Sequence, residues 1–304
     1  MEIKKAKVGF IKMLGCGETP KINYGPYSSW DEIKALSQLS EKAFRIFAEL
    51  VKDKAKKLLE PINHLFYRMV YIAGTTSTSI RLINSWAFTL PAFALLRIRL
   101  EQTIICSYLI YEDISIGLEK FLSYNPIGQF KGMKVAMEDE SLKKILEQDF
   151  KGFDKLKEDA ITMQQDRTPG FSFEDDKFER SWTKLTLRAI ANKRDSLAPN
   201  EPLVKHPLER EYVSIYKVAS AVVHAEADTF GKSFLNFYAG PDGSTVLMPV
   251  PRYAYVIAFF TARYDILQCH EVLKRVGIDP EARYVELMDK LLKIRDEEKP
   301  RTNI

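Results

Sequence analysis

Apolar residues recur every three to four positions along several long stretches of this chain, which is the spacing of an amphipathic α-helix. The clearest stretch follows Ser29, and Glu32 three residues later completes the pattern of a helix-starting capping box. The apolar positions after this pair are Ile33, Leu36, Leu39, Phe44, Phe47 and Leu50. The pattern predicts a helix that begins near Ser29.

Similar patterns predict helices over most of the remaining chain. Three of these helices are predicted to begin at Pro61, at Thr89 with Pro91, and after Pro207. Two more are predicted over Arg252 to Val276 and Pro280 to Glu298. One clear turn signal, around Gly240 to Gly243, predicts a small hairpin or ordered loop near 237–251. Helical patterns outnumber strand patterns, so the sequence predicts an all-α fold, a multi-helix bundle of about seven to nine helices.

The same patterns suggest how the chain is divided. Residues 1–28 are rich in glycine and proline and predict a loop-like leader, residues 29–298 a single helical domain, and residues 299–304 a frayed tail. Charged residues dominate from about 123 to 200, which predicts a charged helical excursion. Its expected parts are one exposed helix, a break at Thr168–Gly170, and a second helix from about Asp176 to Ser196. The excursion is either a solvated surface or an arm that binds a regulator or another protein.

Composition is that of an ordinary globular protein, with 46% hydrophobic and 28% charged residues and a net charge of +4. This charge permits an RNA partner but does not indicate one, because no block of lysine and arginine stands alone.

The most apolar segment, Trp86 to Tyr111, has the length of a membrane span but carries Arg97, Arg99 and Glu101 at its centre. Charges at the middle of a bilayer are costly, so we interpret this segment as a buried helix and expect no membrane association.

Three widely spaced cysteines, Cys16, Cys106 and Cys269, form no Cys-x-x-Cys pair. Two of them lie among apolar residues and are expected to be buried thiols. This usage fits a reducing cytoplasm, and no apolar run for a signal peptide is found near Met1.

The first candidate site is on the predicted helix that begins at Thr89. Arg97 and Glu101 are four residues apart and share one face, whereas Arg99 points elsewhere. One interpretation is that these charges pair within the helix or with another helix. The other is that they line a cleft, where the planar fork of an arginine can bind phosphate through two bonds.

The second candidate site is on the predicted helix from Tyr216 to Asp228. Lys217, Ser220 and His224 lie along one side of that helix, with Asp228 one turn further on. A hydroxyl and a carboxylate on either side can fix the tautomer of a histidine and tune its charge. A serine-hydrolase triad is not expected here, because side chains on a single helix tilt the same way and Ser220 could not easily face a substrate carbonyl. The structural alternative is that His224 is only a hydrogen-bonded packing residue.

Neither a metal nor another cofactor is predicted. His64, His206 and His270 have no second ligand at metal-binding spacing, and the segment Gly15 to Gly17 lacks the remaining features of a phosphate-binding glycine loop.

Two segments resemble a widespread bacterial all-helical family of unknown function. Leu90 to Glu101, followed by Tyr108 and Leu109, is similar to that family's Ala-x-x-x-Arg-x-x-x-Glu…Tyr-Leu helix. The segment from Tyr216 to His224 resembles its second signature, Tyr-Arg-x-x-Ser-x-x-Val-His, with lysine at position 217 in place of arginine.

The second signature is in turn similar to the Arg-x(4–6)-His motif of HEPN-type ribonucleases and toxins. That resemblance implies a homodimeric helical bundle that cleaves RNA without a metal, as a toxin or phage-defence component. It implies His224 as general acid or base, Lys217 and Arg97 as stabilisers of charge on phosphate, and Ser220 and Glu101 as orienting groups. Lys217 cannot bind a phosphate through two parallel bonds as an arginine can. The alternative is therefore a non-catalytic helical protein for binding or oligomerisation, in which Arg97, Glu101 and His224 are structural.

Overall fold

The computed structural model is almost entirely helical. It describes residues 29–52, 54–58, 60–85, 89–137, 152–174, 177–198, 203, 207–223, 235–239, 245–249, 251–280 and 282–298. Within them lie nine helices of at least 11 residues: α1 (Ser29–Lys52), α2 (Pro61–Ser85), α3 (Thr89–Tyr111), α4 (Asn125–Met137), α5 (Phe153–Arg167), α6 (Leu187–Leu197), α7 (208–223), α8 (Pro251–Arg275) and α9 (Arg283–Glu298). Two shorter helices cover Ala55–Leu58 and Leu118–Ser123. The predicted all-α bundle is confirmed.

The predicted hairpin or ordered loop near 237–251 is a hairpin. Strand β1 (Leu235–Ala239) pairs antiparallel with β2 (Thr245–Pro249). Leu235 lies opposite Pro249, and Ala239 lies opposite Thr245.

The described residues divide into two compact units. The first contains residues up to Thr103, Leu203, and those from Arg210 onward, and the second contains residues from Ile104 to 198 with Pro207–Glu209. The charged excursion predicted at 123–200 belongs to the second unit, which begins earlier, at Ile104. The single-domain boundaries 29–298 stay a prediction, and the leader and tail lie outside the described residues.

Helix α8 forms the centre of the first unit. Every residue from Thr261 to Leu273 is buried, because α1, α2 and α9 all pack against this helix. Cys269 is among these residues, and Cys106 of the second unit is also buried, as expected from their apolar neighbours; Cys16 lies outside the described residues.

The second unit has its own aromatic core. Ile127, Phe130 and Ala160 are its buried centre, and side chains from α5 and from the loop before α6 surround them. Phe178 packs 5.4 Å from Phe130, measured between ring centroids.

The helix predicted to begin near Asp176 begins instead at Leu187, so that boundary was wrong. Tertiary contacts hold the preceding residues in an irregular loop, in which Arg167 pairs with Glu179 and the Trp182 ring packs against Phe121. The side chain of Thr186 then accepts a hydrogen bond from the backbone N–H of Ala189 and caps α6.

Helix α7 is irregular at its centre. Leu208–Glu211 and Lys217–Val223 are α-helical, but Tyr212–Tyr216 between them is a π-helix. A π-helix has more residues per turn than an α-helix and occurs mostly as short bulges, frequently at functional sites.

Among the described residues, no helix is both long and apolar enough to cross a membrane.

Candidate functional site

Arg97 and Glu101 form an ion pair within α3. The Nε of Arg97 donates to Oε1 of Glu101 at 3.1 Å, and the two side chains are 20% and 34% exposed. The sequence allowed Arg97 and Glu101 to pair within their own helix, and the structure contains this pair at a position that solvent can reach.

The same arginine joins α3 to α7. Its Nη2 donates to the hydroxyl of Tyr216 at 2.7 Å, and its guanidinium carbon lies 4.5 Å from the centroid of the Tyr216 ring. Its Nη1 makes a longer contact of 3.5 Å with the hydroxyl oxygen of Ser220. Arg97 thus connects residues from two segments that are more than 100 positions apart in the sequence.

The π-helical turn brings a second tyrosine into this group. The rings of Tyr212 and Tyr216 stack with centroids 4.4 Å apart and an angle of 23° between their planes. Tyr212 is thus joined to Arg97 through the ring of Tyr216. On another side of the same helix, Glu211, Ile215 and Ala219 are buried.

Electrostatics keep this site charged. Burial by itself lowers the pKa of Arg97, but its hydrogen bonds and its charge interactions with Glu101 and Tyr216 outweigh burial and raise that pKa. The three contacts leave two of the five N–H groups of the guanidinium without a partner among the described residues. A partly exposed guanidinium with free donors can bind an anion such as phosphate.

The predicted site residues do not all fall in this group. The structure brings Arg97, Glu101 and Ser220 together, while Lys217 is exposed on the outer side of α7. His224 lies directly after Val223, the last described residue of α7, and is outside the described residues. Tyr216 was not among the predicted site residues, although it is four residues before Ser220 and therefore on the same helix face.

Arg99 belongs to a separate and fully buried network. Its Nε donates to Oδ1 of Asp265 at 3.0 Å, and its Nη1 donates to the side chains of Thr103 and Gln268 at 2.6 and 2.7 Å. Burial raises the pKa of Asp265, against the lowering effects of Arg99 and of the hydroxyls of Ser40 and Ser77. Because both charges are sealed from solvent, this network holds α3 to α8 and has no access for a substrate.

Of the other three histidines, two lie within the described residues. His64 is exposed on α2, His270 is buried in α8 with its ring 6.1 Å from that of Tyr284, and His206 lies outside the described residues. In the part of the chain that the structure describes, no three His, Cys, Asp or Glu side chains are grouped closely enough to hold a metal ion.

A large groove lies elsewhere in the first unit, between α1 and α2. Its volume is about 690 Å³, and its lining includes Phe44, Tyr67, Tyr71 and Arg81. Among the predicted site residues that the structure describes, none lines this groove, so it gives no support to the chemistry predicted from the sequence.

The fold and this site define an all-helical protein in which one arginine joins two helices through a tyrosine, a serine and a glutamate. Residues 59–238, more than half of the chain, match a family of unknown function, DUF5677, and the chain belongs to that family. Both segments that meet at Arg97 lie within the matched region. No curated protein and no solved structure matches the chain.

Proposed function

We propose that this protein is a metal-independent endoribonuclease of the HEPN type, in which Arg97 binds a phosphate of RNA beside His224. One observation carries the proposal: Arg97, Glu101, Tyr216 and Ser220 converge from two distant segments on a solvent-accessible position. The α7 segment that supplies two of these residues ends one residue before His224.

The proposed reaction is attack by a ribose 2′-hydroxyl on the neighbouring phosphorus. His224 takes the proton of that hydroxyl, the new O2′–P bond forms, and the P–O5′ bond breaks. Water donates a proton to the leaving O5′, so the products are a 2′,3′-cyclic phosphate and a 5′-hydroxyl. Arg97 and Lys217 stabilise the negative charge that grows on the phosphate oxygens, while Glu101 and Ser220 hold Arg97 in position.

RNA cleavage by the purified protein tests this proposal. We expect a fluorogenic RNA to be cleaved in the presence of EDTA, and the activity to disappear in His224→Ala. His64→Ala is the matched control, because His64 is an exposed histidine on α2, far along the chain from α7. Cleavage that survives in His224→Ala, or that EDTA abolishes, would contradict a metal-independent reaction at His224.

The resemblance also implies a homodimer that acts in the cytoplasm as a toxin or phage-defence component. We propose the dimer with the ribonuclease, since in that class the arginine and histidine of both subunits meet in one cleft. Sedimentation of the full chain checks it: a dimer is expected, and a 35.0 kDa monomer at all concentrations would contradict it.

A second candidate function is favoured by how well Arg97 is already paired. Three partners hold it, and the position that is arginine in the resembling motif is Lys217 here. Both observations also suit a non-catalytic helical protein for binding or oligomerisation. In that case Arg97→Ala and His224→Ala would lower the melting temperature, and no RNA cleavage would be found in any variant.

A further inference from the structure

Another pocket of the first unit is lined by residues of α7 that do not contact Arg97. It is a shallow, open cavity of about 260 Å³ among α7, α8 and α9. Its lining residues are Arg210, Glu211, Ser214, Phe259, Phe260, Arg263 and Arg295. Three arginines and one carboxylate line it, and Arg295 is itself paired with Asp296, so these five groups together carry one net positive charge.

The charge that a ligand would meet comes from the rim of the pocket. At the floor, the Nε of Arg263 donates to Glu211 at 2.6 Å, and both side chains are nearly fully buried. This pair is neutral overall because its two charges are opposite. Arg210 is exposed on α7, and Arg295 of α9 is 33% exposed and contacts the neighbouring carboxylate of Asp296. Two guanidinium groups from different helices therefore reach solvent at the mouth of the same cavity.

The pocket also offers an aromatic surface. The ring of Phe260 is partly exposed, and it is held edge-to-face against Phe259 with centroids 5.3 Å apart and planes at 87°. Tyr264 supports the same ring from a centroid distance of 5.9 Å. Aromatic rings next to arginines are the combination that binds the bases and phosphates of single-stranded nucleic acid.

The position of the pocket connects it to the candidate site. Arg210 and Ser214 of α7 line the pocket, Tyr216 and Ser220 of the same helix contact Arg97, and Lys217 between them is exposed. Arg210 and Ser220 are ten residues apart, which is roughly 15 Å along a helix. The pocket and the residues that contact Arg97 therefore lie along one short helix, within reach of a single RNA strand of a few nucleotides.

We propose that this pocket is a second nucleotide subsite for single-stranded RNA, in which Arg210 and Arg295 bind a phosphate and Phe260 contacts a base. The inference rests on the proposed function, because the pocket would bind a part of the same RNA that lies beyond the cleaved bond. A cavity of about 260 Å³ is smaller than the roughly 300–1,000 Å³ of pockets that enclose whole small ligands. It therefore fits one segment of a polymer better than a free nucleotide.

Binding measured without cleavage tests this subsite. In the His224→Ala background, a fluorescein-labelled 12-nucleotide oligouridylate is titrated and followed by anisotropy. We expect the double change Arg210→Ala with Arg295→Ala to raise Kd by about tenfold and to reduce the salt slope of log K by about 0.7, the value for one lost phosphate contact on a single strand. Arg68→Ala, an exposed arginine of α2 outside the pocket, is the matched control and should leave Kd unchanged.

A second variant and a competitor complete the test. Phe260→Leu keeps the charge but removes the ring, and it should weaken binding without changing the salt slope. Uridine monophosphate should not displace the oligonucleotide at concentrations near the Kd of the oligonucleotide; if it does, the pocket is a site for a free nucleotide and the RNA subsite is wrong. Unchanged binding in the arginine double variant and in Phe260→Leu would overturn the inference, as would failure of the parent protein to bind the oligonucleotide.

Cleavage assays separate this inference from the proposed ribonuclease. If RNA binds through the pocket but no cleavage occurs, the subsite stands and the ribonuclease fails. If the protein with His224 intact cleaves RNA with the same kcat/KM after both arginines are replaced, the ribonuclease stands and the subsite fails.

Discussion

The guanidinium of Arg97 lies over the ring of Tyr216, 4.5 Å from its centroid, and also donates to the hydroxyl of that ring at 2.7 Å. This double contact fixes both the position and the plane of the guanidinium, because a hydrogen bond at the edge of the ring limits how far the cation can slide over its face. The ion pair with Glu101 fixes it from the other side. Arg97 is thus held in one orientation while part of its surface stays open to solvent, which is the condition for binding an anion without reorganisation.

Two arginines that are two residues apart on α3 should differ sharply in their contribution to stability. Arg97→Ala breaks a partly exposed ion pair and a cation–π contact, and we expect it to lower the free energy of unfolding by about 1–2 kcal/mol. Arg99→Ala leaves Asp265 buried without its cation, and we expect a loss of about 3–5 kcal/mol. Urea denaturation of both variants, followed by circular dichroism, measures the difference.

A double variant checks the reason for that difference. Replacing a buried ion pair by apolar residues of similar size is often neutral, so Arg99→Met combined with Asp265→Leu should be more stable than Arg99→Ala. If Arg99→Ala costs no more than Arg97→Ala, the buried network does not hold α3 to α8 as the structure indicates.

Tyr216→Phe separates the two parts of the contact with Arg97. The ring and its cation–π contact remain, but the hydroxyl that accepts from Nη2 is lost, and we expect a decrease of about 1 kcal/mol in the free energy of unfolding. Tyr216→Ala also removes the ring and its stack on Tyr212, so it should cost clearly more. Equal losses in the two variants would show that stacking on Tyr216 contributes nothing.

The π-helical turn makes an unusual prediction about deletions in α7. A π turn contains one residue more than an α turn, so deleting Val213 from it should leave a regular α-helix with both ends in place. Deleting Val218 from the α-helical part instead rotates the residues after it by about 100°. We expect the Val218 deletion to lower the melting temperature more than the Val213 deletion; the opposite order would contradict the assignment of the π turn.

Much of the fold could be predicted because helix starts are encoded locally. Ser29, Pro61 and Thr89 each begin a helix where the sequence placed it, since capping and proline preferences depend on a few neighbouring residues. The start of α6 was misplaced because tertiary packing of Phe178 and Trp182, rather than local sequence, decides the conformation before Leu187. The π turn carries no local signal that distinguishes it from an α-helix.

The candidate site was predictable only in part, for a related reason. The Arg97–Glu101 pair follows from spacing within one helix, and the sequence correctly placed Arg99 on another side. The partners Tyr216 and Asp265 are far away in the sequence, and periodicity shows only which side of a helix a residue occupies. Which helix faces that side depends on the packing of the whole unit.

The second unit contains a carboxylate whose titration should be visible in stability. Burial raises the pKa of Glu112, but hydrogen bonds from Lys193 and Tyr108, a backbone hydrogen bond from Asp113 and the charge of Lys193 outweigh it, so that pKa is lowered. A lowered pKa in the folded state adds stability above the unfolded pKa of about 4.3, and this stability is lost as the pH falls through the folded value.

Glu112→Gln removes this titration. We expect the wild type to be more stable than Glu112→Gln by about 1–3 kcal/mol at pH 7, the range of a hydrogen bond to a charged group, and the difference to shrink below about pH 4. Denaturant unfolding between pH 7 and pH 3 measures it. Glu119→Gln is the control, because Glu119 is exposed in the same unit; a difference that does not change with pH would contradict the lowered pKa.

Lys217 offers a test in which activity should rise. Under the proposed ribonuclease, Lys217→Arg supplies two parallel bonds to a phosphate where lysine supplies a point charge. We expect kcat/KM for RNA to increase by about three- to tenfold, which corresponds to roughly 1 kcal/mol at the transition state. Because Lys217 is exposed, the melting temperature should not change, and Lys34→Arg on α1 is the matched control. If Lys217→Arg and Lys217→Ala both cleave RNA like the wild type, Lys217 has no part in the reaction, and the positive charge opposite the phosphate comes from Arg97 alone.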